Sequence, residues 1–204
     1  MDRLLSLVRT ASRFGLWLGG ALILASAVVI GVDVVIRKAF AVSVGGADEL
    51  AGFALAIGTA WALSATLLDR AHIRIDSLYL LFPVKARALL DLVGLAAFTV
   101  VFGLIAWHAT GVVEQSMNVG SRSLSALETP LVLPQGLWLI GMALFLATAL
   151  LLLSRALVRA VSGEFRAVID TIGVRTVEEE TAEEIRSAEE IRAREASDVT
   201  ARRP

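Results

Sequence analysis

Five ionisable side chains crowd into the eight positions 69–76, DRAHIRID, directly after the uncharged run LAGFALAIGTAWALSATLL at 50–68. On a helix Asp69, His72 and Asp76 recur at i, i+3 and i+7 and share one face. Two carboxylates and an imidazole are ligands for a divalent cation, and a histidine between acids is also a proton relay. No fourth ligand stands nearby, and the absence of cysteine excludes thiolate metal sites, disulfides and a cysteine nucleophile. A charged rim that anchors a helix end and orients the next segment explains the same residues without a ligand. No metal, haem or other cofactor is expected. The other histidine, His108, lies at the far end of a later apolar run, about 30 Å from His72 if both runs cross a bilayer, so the pair cannot share one haem iron. Neither histidine has a serine and carboxylate placed for a hydrolase triad.

The elements that position these residues follow from hydropathy. The chain has 204 residues, of which 56% are hydrophobic. Its mean hydropathy is +0.73, too apolar for an ordinary soluble domain. A net charge of −1 gives no field for nucleic acid, and none is expected as a partner. Most acidic residues lie beyond position 160 and the apolar runs before it, which separates a membrane-embedded body from a soluble tail. Runs at 14–36, 50–68, 88–110 and 137–157 each have the ~20 apolar residues that a spanning helix needs. The first is preceded by Arg3, Arg9 and Arg13 and contains ASA at 25–27, yet it continues far past the length of a signal-peptide core and reads as an uncleaved anchor.

Arginine and lysine set the orientation. Arg3, Arg9, Arg13, Arg70, Arg74, Lys85, Arg87, Arg155 and Arg159 fall on one side, against Arg37, Lys38 and Arg122 on the other, so both termini are expected in the cytoplasm. Trp17, Trp107 and Trp138 stand near span ends as aromatic belts do, while Trp61 is deeper and suits a helix–helix or partner contact. Gly15 and Gly19, and Ala54, Gly58 and Ala62, mark faces where helices approach closely. Ile75, Leu78, Tyr79 and Phe82 recur at helical spacing before Pro83 and predict a short amphipathic helix in the headgroup layer. The first dozen residues and Phe165, Val168, Ile169 and Ile172 are expected to lie there too. Residues 111–135 read as a turn-rich outer loop, with Pro134 opening the fourth span.

The tail repeats AEEIR at 182–186 and 188–192. It has too few apolar anchors for a core and reads as partly helical or disordered. The fold class is thus an all-α membrane protein with four transmembrane helices, short interfacial amphipathic helices and a charged cytoplasmic tail. Residues 1–162 form the membrane domain and 163–204 the amphipathic and acidic tail. The span centres contain no Asp, Glu, Lys, Arg, His or Pro, which leaves no solute pathway of the kind carriers build at mid-depth. Asp33 and Arg37, four residues apart, are placed to neutralise each other.

The sequence resembles the small membrane subunit (DctQ-like) of tripartite ATP-independent periplasmic (TRAP) transporters, over about residues 16–157. The resemblance rests on VVIRKAF at 34–40, ADELAGFALAIGTAWALSATLLDRAHIRID at 47–76, and ETPLVLPQGLWLIGMAL at 128–144. The acidic pair Asp48–Glu49, the small-residue helix with Gly58 and Trp61, and His72, Arg74 and Asp76 are its most specific part. Where the family pattern places tryptophan before the acidic pair and arginine after it, Ala47 and Gly52 stand here. The acidic tail lies outside the pattern.

The resemblance implies a non-catalytic subunit in a bacterial or archaeal inner membrane. It implies binding to a large permease subunit that holds the substrate and sodium sites, with a periplasmic substrate-binding protein delivering an organic acid. Arg37, Asp48, Glu49, Gly58, Trp61, His72, Arg74, Asp76 and Pro134 are the expected structural and interface residues. A self-contained homo-oligomeric four-helix channel or exporter is the alternative; an anchor for a redox enzyme is disfavoured by the histidine placement.

The orientation is testable in intact spheroplasts with a membrane-impermeant thiol reagent. Cysteine in place of Ser77 or Ser187 is expected to stay unlabelled and cysteine in place of Ser121 to react. Labelling at position 187 from outside overturns the assignment.

Overall fold

A computed structural model describes residues 2–43, 45–70, 79, 81–173, 181–182 and 184–193. Helix α1 covers Asp2–Phe40, α2 Ala47–Leu68, α3 Val84–Val119, α4 Val132–Val161 and α5 Phe165–Ile172. Among the described residues there is no strand, only an isolated bridge between Arg122 and Pro130. The first four helices are each long and apolar enough to cross a membrane. At 1.5 Å per residue, the 22 residues of α2 span ~33 Å, close to a bilayer core of ~30 Å. The 39, 36 and 30 residues of α1, α3 and α4 are much longer than that, so these helices tilt or project.

The helices outrun the apolar windows because the i→i−4 ladder continues into polar residues that hydropathy does not mark. Two expectations change as a result. Residues 2–13 are the uninterrupted start of α1, not a separate interfacial helix. The outer connection begins only after Val119, where Gly120 adopts φ 65 and Ser121 N–H bonds Ser116 O in a Schellman-type stop. Pro134 is the third residue of α4, within the first turn, where no intrahelical N–H bond is lost. The amphipathic segment expected at 75–82 lies mostly outside the described residues.

Packing orders the helices as a row, α1–α2–α4–α3, and not as a closed four-helix square. Antiparallel α1 and α2 cross backbone to backbone: a Cβ on Gly19 would stand 2.7 Å from Gly58 O. Small residues are what permits this approach, since apolar surroundings supply no hydrophobic drive and dispersion at short range must replace it. On the other flank α3 meets α4 through Phe98, Phe102 and Phe145, whose ring centroids lie 4.5–5.6 Å apart. Leu67 of α2, Leu95 of α3 and Ala149 and Leu152 of α4 complete that core. Thr59, Thr99 and Thr148 bond their own helices, at Leu55 O, Leu95 O and Leu144 O, whereas the buried hydroxyls of Ser12 and Ser64 have no hydrogen-bond partner among the described residues.

Helix α2 ends at Leu68, level with Leu95 and Leu152, while α3 and α4 continue beyond it. Helix α5 turns back from α4 through Gly163 (φ 77) and packs in the vacated place. Val168, 0% exposed, sits against Ala88 and Ala156, with Phe165, Ile169 and Ile172 beside it. The apolar face expected to rest on headgroups is therefore covered by α3 and α4. An apolar stripe on a short helix specifies burial but not its partner, and here protein supplies it.

The Gly19–Gly58 crossing yields a paired test. Gly19→Ala is expected to destabilise the purified protein by about 1–3 kcal/mol, because backbone cannot yield to the new methyl. Gly20→Ala, which meets nothing within 4 Å, is expected to leave thermal unfolding in detergent unchanged.

Candidate functional site

At the end of the row that holds the α1–α2 and α3–α4 connections, polar side chains tie each loop to a helix. Asp33 is 2% exposed and pairs with Arg37 one turn later on α1. Ser43 donates to the other Asp33 oxygen at 2.9 Å and accepts from Gly45 N–H at 3.3 Å, folding the α1–α2 turn back onto α1. A carboxylate so far from water needs such partners, and the half-exposed guanidinium keeps its own contact with solvent. The turn then enters α2 through Gly45 and Gly46, at φ 70 and 82.

The α3–α4 loop rests on that turn. Leu127 lies where a side chain on Gly46 would stand, its Cδ1 2.5 Å from the Cβ position, while the positive φ is what favours glycine there. Glu49, in the first turn of α2, accepts 2.9 Å from Ser123 Oγ, which lies 3.2 Å from Ser125 Oγ and accepts from Thr129 N–H. Glu49 thus fastens the α3–α4 loop. Arg37 pairs with Asp33, as their spacing of four residues on one helix predicts, and Glu49 takes its partner from the α3–α4 loop instead. Asp48, beside Glu49, is exposed.

Trp61 stands at the meeting of three helices. Its indole N–H donates to Leu137 O of α4 at 2.9 Å. A Cβ on Gly141 of α4 would lie 2.5 Å from its ring, and one on Gly15 of α1 2.9 Å from its carbonyl. Phe14 closes the side edge-on at 6.4 Å. Trp61 and Gly58 both stand at helix–helix contacts in this packing. Trp138 packs on the phenylalanine core, whereas Trp17 and Trp107 remain exposed.

The opposite end holds residues that sequence reasoning missed. Arg70, just past α2, donates to Ile169 O and Asp170 O of α5, both at 3.2 Å. Arg159 of α4 reaches α5 from another side, at Ala167 O and Thr171 Oγ1. Asp91 of α3 is 0% exposed and accepts from Tyr79 at 2.6 Å. Arg70 and Arg159 read in the sequence only as orientation charges and Tyr79 as a lipid-facing ring. The one visible signal was Asp91, a carboxylate near the start of an apolar helix. His72, Arg74 and Asp76 lie outside the described residues. His108 is exposed on α3 and bonds Leu104 O through Nδ1 at 2.8 Å.

Two buried polar clusters, one at each end of an apolar row of helices, describe a body braced for a membrane. A family model described as the DctQ component of tripartite ATP-independent periplasmic transporters matches residues 26–160. The chain belongs to this family. Comparison with curated proteins and with solved structures returns no match. As a DctQ component the chain is the small permease component of a TRAP system, a transporter part. The match takes in Asp33, Arg37, Glu49, Gly58, Trp61, Arg70, Asp91, Pro134 and Arg159, and it ends before α5.

The loop contacts predict a pattern of coupling. Glu49→Ala and Ser123→Ala are expected to be non-additive by about 0.5–1.5 kcal/mol in thermal unfolding, as for one shared hydrogen bond. Glu49→Ala and Arg37→Ala are expected to add. Coupling of the second pair and not the first would reverse the assignment of partners.

Proposed function

We propose that this DctQ component is a non-catalytic scaffold for the large permease subunit in sodium-coupled, binding-protein-dependent uptake of an organic acid. The observation that carries the reading is the open row of helices. In α1 only 11% of the most apolar stretch is buried within the chain, and α3 also leaves a long apolar face outward. Such a body offers wide surfaces to lipid and to further helices. Its own interior is filled by glycine contacts, an indole and phenylalanine rings, with the hydroxyls of Thr59, Thr99 and Thr148 bonded to their own helices. A carrier instead needs ionisable groups or broken helices at mid-depth that exchange access between two sides.

In this reading the membrane unit comprises residues 1–162, with α5 tied to it and the acidic tail following. The subunit sits in a bacterial or archaeal inner membrane with both termini in the cytoplasm, as the arginine distribution favours. The end with Asp33, Asp48 and Glu49 then faces the periplasm, where the substrate-binding protein docks. His72, Arg74 and Asp76 hold the α2–α3 segment at the cytoplasmic interface.

Reconstitution tests the role. Alone in liposomes under a sodium gradient, the chain is expected to move no organic acid. With the large permease subunit and loaded binding protein, uptake is expected, and it is expected to be lost or strongly reduced when this chain is left out. Solute flux through the purified chain alone would replace the scaffold with the homo-oligomeric channel.

A further inference from the structure

The residue after α2 is in a conformation that calls for explanation. Asp69 caps the helix, and Arg70 follows with φ 55 in the left-handed region. Glycine is the usual residue at this place because a Cβ opposes the turn. Arginine holds it here, and its guanidinium reaches nearly a hundred residues along the chain to the last turn of α5. The carbonyls there, Ile169 O and Asp170 O, belong to the last turn of α5, and a cation complements the negative end of the helix dipole. Arg159 takes Ala167 O and Thr171 Oγ1 from the side of α4.

We infer that Arg70 is a positioning residue. With Arg159 it holds α5 in the place that α2 leaves empty, and so fixes where the C-terminal tail departs from the transport subunit. Apolar contact alone is a weak hold for a helix of eight residues, of which Val168 is the buried one. The two arginines supply direction, because they bond main-chain oxygens that every other orientation of α5 would turn away. Helix α5 lies beyond the matched stretch 26–160, whereas both arginines lie within it. The arginines thus recruit a segment that the family match does not include. The consequence for uptake rests on the scaffold reading: a displaced α5 uncovers Ala88 and Ala156 and loosens the end of α3, whose outward face that reading offers to the large subunit.

Because this chain contains no other cysteine, Val168→Cys is a single reporter of α5 docking on it, read on this chain separated by denaturing electrophoresis after the purified complex with the large permease subunit has been labelled. In that background Arg70→Gly relieves the turn and removes the guanidinium, whereas Arg70→Ala removes the guanidinium and keeps the strain. Both are expected to speed modification by N-ethylmaleimide roughly tenfold, the effect of losing charge-assisted hydrogen bonds. Arg159→Ala is expected to act in the same direction, and Arg70→Lys less strongly than Arg70→Gly. Complexes carrying these variants are expected to co-purify with the large subunit and to show uptake falling in the order of labelling. Unchanged labelling in Arg70→Gly, or faster labelling in Arg70→Ala only, overturns the inference, since the turn and not the guanidinium would then hold α5. Faster labelling with uptake intact also overturns it, by removing α5 from transport. Uptake by the large subunit and binding protein without this chain would sink the scaffold reading, and the labelling result would stand apart from it.

Discussion

Trp61 holds three helices with one side chain. Its indole fills the space that glycines leave on α1 and α4, and its N–H finds a main-chain oxygen at Leu137. In apolar surroundings burying surface gives little net drive between helices, so contact must come from shape, and a polar atom left without a partner costs more than it does in water. Trp61 meets both demands. A methyl on Gly15 or Gly141 would push the ring off its seat. The Gly19–Gly58 crossing, one turn farther along, keeps α1 at the distance that Trp61 requires.

The ends of the row obey a different constraint. There the chain must reverse direction, and the polar groups of each turn need fixed partners. Asp33 and Glu49 perform this task by accepting from Ser43 and Ser123, one loop each, so the two connections are clamped to α1 and α2 separately. At the other end α2 stops short, and the chain repairs the gap with its own C-terminal helix. That repair depends on two arginines and on Val168, because a helix of eight residues is marginal unless something outside it satisfies its ends.

A row of helices with unequal lengths also accounts for how much apolar surface this transporter component leaves outward. The surfaces of α1 and α3 stay outward, Asp33, Glu49 and Asp91 lie toward the helix ends, and the hydroxyls of Thr59 and Thr99 are bonded to their own backbone. The proposed scaffold role uses these outward faces. The family match places the same helices, from the middle of α1 to the end of α4, in the small subunit of a tripartite system.

Residue types alone were enough for the four spans, for the Asp33–Arg37 pair and for the close-packing glycines, since each depends on spacing within one helix. The family was legible too, because its motifs are runs of contiguous residues. The helix ends were not. Hydropathy measures transfer to lipid, whereas a helix ends where its hydrogen-bond ladder is stopped, as at Gly120. Tertiary structure decided the order α1–α2–α4–α3, the choice of Ser123 as partner of Glu49, and the burial of α5. The physical reason is common to all three. An apolar stripe or a carboxylate states that it needs a partner, and lipid, water or another helix can each supply one. Only the packed chain shows that α2 stops at Leu68 while α3 and α4 run on, and that α5 covers Ala88 and Ala156 there.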